Sequence, residues 1–259
     1  VFITDLCVIL SVVEVVYKMK NKYKKILIIA LCVIVCIVGG VLGCGAIEKY
    51  KAYDVDPLKR EDVVKLMENC DKLMIVAHPD DETLWGGAHL KAGGYLVVCI
   101  TRGRDKTRKA EFENVVKKSG NIPLILEYPD KVNLKRDDWK AVRSGIEKDV
   151  ALLVGVKDWS LIVTHNPEGE YGHQHHIMTS SIVTEATKNK DCYNRLVYMG
   201  KYYKKDELEK VSDNLVRLPD EAIKYKEDLL SLYTSQGKTV DKLSHMNPYE
   251  MWVGASEWK

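Results

Sequence analysis

Leu73-Met74-Ile75-Val76-Ala77-His78-Pro79-Asp80-Asp81-Glu82 is the stretch from which the fold is read. Five apolar residues in a row predict a strand buried on both faces, the pattern of a parallel sheet. The polar half begins where that strand ends. A helix is expected over 83–92, closed by Gly93-Gly94. The same alternation recurs in both directions along the chain. Strands are expected over 95–100, 123–128, 160–164 and 195–199, and helices over 61–70, 106–118, 139–154 and 175–188. Short strands alternating with helices predict an α/β fold: a mostly parallel sheet of right-handed βαβ units with helices on both faces. Sites in such sheets form beyond the C-terminal ends of the strands. Past residue 204 the pattern loosens, with a strand expected over 214–218 and a helix over 219–236, Pro219 in its first turn.

Composition narrows the function classes. The chain has 259 residues, 46% of them hydrophobic and 29% charged, which excludes wholesale disorder. The formal net charge of +2 comes from the lysines near the start, and the remainder is close to neutral. Such a surface has no footprint for nucleic-acid phosphates. Seven cysteines without a CxxC pair exclude a disulfide-built miniprotein. Cys70, Cys99 and Cys192 are widely spaced and favour a reducing compartment mildly.

The N-terminal 60 residues read differently. Residues 26–47 carry no charge and follow the basic run Lys18-Met19-Lys20-Asn21-Lys22-Tyr23-Lys24-Lys25. As a helix they reach roughly 33 Å, enough for a bilayer core. The expected order is a cytoplasmic basic N-terminus over 1–25, a transmembrane anchor or signal helix over 26–47, a linker over 48–60 and a catalytic domain over 61–259. The lysines before the apolar run place the domain on the extracytoplasmic side, at a bacterial cell surface. A cleaved signal is the alternative, as is lipidation at Cys44 in Val41-Leu42-Gly43-Cys44. Met19 reads as the natural start, with residues 1–18 an over-long gene start.

Two clusters carry chemistry. One is His78-Pro79-Asp80-Asp81-Glu82. The other is Thr164-His165-Asn166-Pro167-Glu168-Gly169-Glu170-Tyr171-Gly172-His173-Gln174-His175-His176. Each starts where a strand ends and a helix begins, so one sheet can bring them together. Imidazole and carboxylate are ligands zinc accepts. His78 and Asp81 are three apart, as are His173 and His176, giving four candidate ligands where three suffice. Asp80 is then a spare carboxylate, as a general base requires. A lone His-Pro-Asp is equally a helix cap; two such clusters at two strand ends favour a site. His89 and His175 read as ordinary, one on a helix face and one spacing the motif. His165 reads either as a support to the site or as a cap on its strand. Trp85 and Tyr171 are open between packing and stacking on a sugar.

His78-Pro79-Asp80-Asp81-Glu82 with Gly86-Gly87, and His173-x-x-His176 downstream, resembles the PIG-L/LmbE superfamily of zinc-dependent de-N-acetylases. Thr101-Arg102-Gly103, Arg108-x-x-Glu111 and Tyr233-x-Ser235-Gln236 are weaker echoes of it. The resemblance implies a Rossmann-like domain with zinc held by His78, Asp81 and His176, iron(II) being the alternative metal. It implies Asp80 as general base, a protonated His173 stabilising the oxyanion or protonating the amine, and Arg108 contacting substrate. The function implied is removal of the acetyl group from an N-acetylglucosamine-containing glycan or glycoconjugate by zinc-activated water. A different N-acyl amidase and a silent glycan-binding protein are the alternatives. The partners expected are the amino-sugar substrate and, through 26–47, the membrane. One departure stands out: Arg104 occupies a position after the Thr101-Arg102-Gly103 turn where many members carry an acid.

Overall fold

The computed structural model describes residues 51–259 together with Ala30, Val33 and Lys49. The chain divides into two compact units, 1–51 and Ala52–Lys259. The apolar segment 26–47 lies, apart from Ala30 and Val33, outside the described residues. Among the described residues no helix is long and apolar enough to cross a membrane.

The second unit opens with α1 (Arg60–Leu66) and β1 (Lys72–Val76). Next come α2 (Asp81–Leu90), β2 (Tyr95–Thr101), α3 (Lys106–Lys118) and β3 (Ile122–Tyr128). A small hairpin, β4 (Lys131–Val132) with β5 (Lys135–Arg136), precedes α4 (Arg143–Gly155) and β6 (Leu161–Thr164). The chain then forms a short turn of helix α5 (Gly169–Gly172), α6 (Gln174–Lys188) and β7 (Leu196–Tyr198). The tail adds α7 (Lys205–Val211), α8 (Asp220–Leu230), α9 (Gly237–Leu243) and β8 (Val253–Gly254).

The main sheet runs β3-β2-β1-β6-β7-β8, parallel throughout except for the antiparallel edge strand β8. Its mixed α/β, mostly parallel character is the one the strand–helix alternation predicts. β1 is central because its residues are apolar on both faces. Leu73 and Ile75 enter a core shared with α1, α4 and α6; Met74 and Val76 enter the opposite core, with α2, α3 and α8. Each such side chain contributes roughly 1.5–3 kcal/mol when fully buried.

The chain leaves β1 toward β2 on one side, while β6 pairs with β1 on the other. Their C-terminal ends therefore flank a crevice at the switch in strand order, where doubly wound sheets bind ligands. β1 delivers residues 77–82 to that crevice, and β6 delivers 165–176.

Several boundaries move. The helix expected from 139 starts at Arg143, because Trp139 adopts φ 55°, outside helical backbone. The strand expected over 214–218 does not form: 212–214 make a 3₁₀ turn, and Leu218 N–H reaches Pro248 O as a single bond. The helix expected over 219–236 ends at Leu230, with a separate 3₁₀ turn at Thr234–Gln236. The stretch read as a linker is docked from residue 52. Tyr53, Val55 and Leu58 pack on the first core, and Leu58 N–H donates to Asp149.

Candidate metal centre

The turn after β1 is tight and strained. Asp80 sits at φ 109° as the N-cap of α2, a backbone region costly for a residue with a Cβ. Three contacts from two partners hold it. Glu82 Oε2 accepts from Asp80 N–H at 3.2 Å, and Arg108 reaches both Pro79 O and, at 3.4 Å, Asp80 Oδ2. Glu82 is itself fixed by the hydroxyls of Thr83 at 2.5 Å and Tyr233 at 2.6 Å. Such strain, over-determined by its surroundings, collects at functional sites.

The turn after β6 is strained too. Glu170 adopts φ 55°, just after Gly169 at φ 68°. A Cβ on Gly169 would stand 2.7 Å from Ile177, so glycine is required there. The buried Glu170 carboxylate accepts from Asn166 N–H at 3.1 Å and contacts His165 Nδ1 at 3.1 Å and His176 Nδ1 at 2.6 Å. His165 Nε2 accepts from Ala77 N–H at 3.0 Å, so its proton lies on Nδ1, toward Glu170. His165 thus ties the end of β1 to the second turn.

These two turns bring His78, Asp81 and His176 together, all buried. His78 Nδ1 lies 3.2 Å from Asp81 Oδ2, His176 Nε2 lies 3.3 Å from that oxygen, and the two ring nitrogens are 3.3 Å apart. Tetrahedral zinc with ligands at about 2.0–2.1 Å needs donor atoms about 3.3 Å apart. The donor set therefore fits a zinc ion in size and chemistry. The bond from His176 Nδ1 to Glu170 turns Nε2 toward the triangle, the carboxylate–histidine support that metal sites use. Two other groupings, His78-His173-His175 and His165-Glu170-His176, also lie close enough. In each, ring nitrogens are already committed to neighbouring groups, so the first set fits best.

A cavity of about 580 Å³ opens on this centre, lined by His78, Asp80, Asp81, Arg108, Tyr171 and His173 among others. The two adjacent aspartates are pushed apart electrostatically. Burial raises the Asp80 carboxyl well above its ordinary value, and the neighbouring Asp81 charge adds to this. Burial works against ionisation of Asp81 as well, but the His176 and His78 imidazoles hold it well below the usual range. Opposite shifts of two neighbouring carboxylates leave Asp81 the more readily ionised and Asp80 the stronger base.

His173 differs from expectation. Burial first, then the neighbouring His176 and His78 rings, pushes its pKa down to about 2, which favours the neutral ring. A cation in the triangle would push the same way. Its Nδ1 is buried without a hydrogen-bond partner. Arg108 lines the cavity, yet its guanidinium is already engaged with the Asp80 turn. Trp85 is a packing residue, 4% exposed and edge-on to Tyr202. Tyr171 is 43% exposed on the cavity wall. Arg104 spans the surface to Glu127 at 2.8 Å and to Asp54 O.

Sequence reasoning gave no role to Glu170, Asp130 or His175. Asp130, just past β3, stands 3.6 Å from His78 Nε2 and holds Arg102 at 2.9 Å. Glu170 carried one signal: an acid six residues before His176, in a glycine-flanked turn.

Residues 73–187 match the PIG-L family, described as GlcNAc-PI de-N-acetylase. This stretch is a PIG-L domain. A similar protein is the uncharacterised L374 of Acanthamoeba polyphaga mimivirus, 33% identical over 132 residues. That match takes in 44% of this chain and 56% of the relative, so the chain spans little more than half of the relative's length. PIG-L proteins are generally zinc-dependent deacetylases acting on N-acetylated, sugar-containing substrates. The PIG-L match contains both strained turns and all three residues of the triangle.

Proposed function

We propose that the chain is a zinc-dependent de-N-acetylase that hydrolyses the acetamide of an N-acetylglucosamine-containing glycan or glycoconjugate. The observation that carries this is the triangle of His78, Asp81 and His176 at zinc-ligand spacing, with the spare Asp80 beside it in one cavity. Zinc held there would supply Lewis acidity, polarising the amide carbonyl and lowering the pKa of water to roughly 7.

The chain's own residues do the rest. Asp80, kept basic by burial, takes a proton from the attacking water. Neutral His173 faces the cavity and donates its ring N–H to the carbonyl oxygen as negative charge grows there. The C–N bond then breaks, and the proton held on Asp80 passes to the departing amine. Acetate and the free amino sugar result. Arg108 keeps Asp80 in place by holding Pro79 O and the carboxylate. Tyr171 is the aromatic face available to a sugar ring.

The test is metal content by elemental analysis of the full chain, beside acetate release from a panel of N-acetylated sugars. One zinc per chain, lost in His176→Ala together with acetate release, supports the reading. A wild-type chain that takes up no zinc after addition and desalting, or one that releases no acetate from any member of the panel, overturns it.

A further inference from the structure

His175 looks like a spacer in the sequence, yet it is fully buried and both of its nitrogens are used. Nε2 lies 2.8 Å from Asp137 O, and Nδ1 lies 3.1 Å from His78 Nε2. A carbonyl oxygen only accepts, so His175 Nε2 carries a proton. The second nitrogen of a neutral imidazole is then an acceptor, and the atom facing it must be protonated. That atom is His78 Nε2. With its proton there, His78 has a lone pair on Nδ1, the nitrogen 3.2 Å from Asp81 and 3.3 Å from His176.

We propose that His175 is a positioning residue for the metal centre: it accepts the His78 Nε2 proton and so fixes the tautomer that turns the Nδ1 lone pair toward the ion. The inference rests on the zinc reading above.

The surroundings leave His175 little freedom. Its ring stacks on Trp139 at 4.3 Å and 5° between planes. The Asp137 carbonyl is held by the turn around it. Asp137 N–H donates to Asp130 O at 2.9 Å, and its carboxylate accepts from Tyr53 OH at 2.6 Å and Trp139 N–H at 2.7 Å. Trp139 Nε1 in turn donates to Pro129 O at 2.7 Å. The competing acceptor for the His78 proton is Asp130 Oδ1, at 3.6 Å, beyond hydrogen-bond distance. Arg102 holds the other oxygen of that carboxylate. A chain of contacts thus runs from the docked segment near Tyr53, through Asp137 and His175, to one vertex of the triangle.

The experiment compares the full-length wild type with His175→Phe and His175→Asn. Phenylalanine keeps the stack on Trp139 but offers no acceptor. Asparagine can place its amide oxygen near the position of Nδ1. Zinc affinity, read by competition with a chromophoric chelator, should fall about 10–100-fold in His175→Phe, as for lost outer-shell partners elsewhere. It should recover at least tenfold of that loss in His175→Asn. Affinity within threefold of wild type in a folded His175→Phe chain overturns the proposal, as does failure of Asn to restore any of the loss. If the Phe variant does not fold, the metal-free wild type decides through long-range ¹H–¹⁵N correlation. A proton on His78 Nε2 supports the relay, and an Nε2 without one overturns it. A wild type that binds no zinc removes the zinc reading itself, whichever tautomer His78 holds, so the two failures are told apart.

Discussion

At the scale of single residues, Asp80 and Glu170 mark the site before any chemistry is invoked. Both are non-glycine residues held at positive φ, and both lie at the C-terminal edge of the central strands. Strain of this kind costs on the order of 1–3 kcal/mol per residue and persists when neighbours enforce it. For Asp80 the enforcers are Glu82, Arg108 and, through Glu82, Tyr233. The proposed role of Asp80 makes a sharp prediction. Asp80→Asn should keep zinc, because the carboxylate is not part of the triangle. Turnover should drop about 10²–10⁴-fold, the typical worth of a general base. Thermal melting should shift little, because relief of the buried Asp80 charge is set against the lost contact with Arg108, whose bond to Pro79 O remains. Near-normal kcat in this variant would reassign the base.

At the scale of elements, a buried ion pair inside the tail is joined to the βα core through α2. Lys226 on α8 meets Glu250 at 3.0 Å, both side chains fully buried. Glu250 also accepts from Ala88 N–H at 2.9 Å and His89 N–H at 3.2 Å on α2. Burial alone would raise its pKa, but Lys226 and the His89 ring hold it down to about 2, against an ordinary 4.5. A folded pKa below the unfolded one stabilises at pH above 4.5, and the benefit fades as pH falls toward 2. Glu250→Gln should therefore flatten the acid limb of stability against pH. It should also cost about 3–5 kcal/mol at neutral pH by leaving the Lys226 charge unpaired. Adding Lys226→Met should recover most of that loss, since an apolar replacement of a buried pair is often neutral or better. Denaturant unfolding of the wild type and the two variants checks it, and a double variant no better than the single would refute the ion-pair account.

Elements also show what could be read in advance. β1, β2 and α3 were legible because their apolar runs and helical spacing were long and uninterrupted. The residues of the triangle lie in two short motifs at strand ends; their spacing left four candidate ligands, and the family resemblance singled out three of them. The weaker echoes turn out to be its scaffold: Thr101 Oγ1 donates to Ala77 O at 2.8 Å, and Ser235 Oγ donates to Glu111 at 2.5 Å. The partnership of His175 with His78 was not legible, since it spans 97 positions and depends on which way two rings face. Nor was the neutral state of His173, which follows from burial among other imidazoles. The β4–β5 hairpin escaped because its strands are two residues long, and β8 because it pairs only with β7.

At the scale of the whole molecule, two apolar cores flank the sheet, and neither needs the ion. The chain should fold without zinc and gain stability on binding it. At free zinc one hundred times Kd the gain is about 2.7 kcal/mol by mass action. Differential scanning calorimetry should show a rise in Tm on adding zinc and its reversal by chelator. An unchanged Tm would mean that the folded chain holds no zinc under those conditions.

Leu134 has a final consequence. It stands 94% exposed at the tip of the β4–β5 hairpin, between Asn133 and Lys135. A nick there would sever the chain between β3 and α4, leaving β1, β2 and β3 in one fragment and β6 and β7 in the other. The seam would run between β1 and β6, directly beneath the triangle. His78 and Asp81 would then belong to one piece and His176 to the other, with zinc as the rivet. Gentle trypsin cleavage at Lys135 should yield two fragments that co-elute while zinc is present and part more readily once it is chelated.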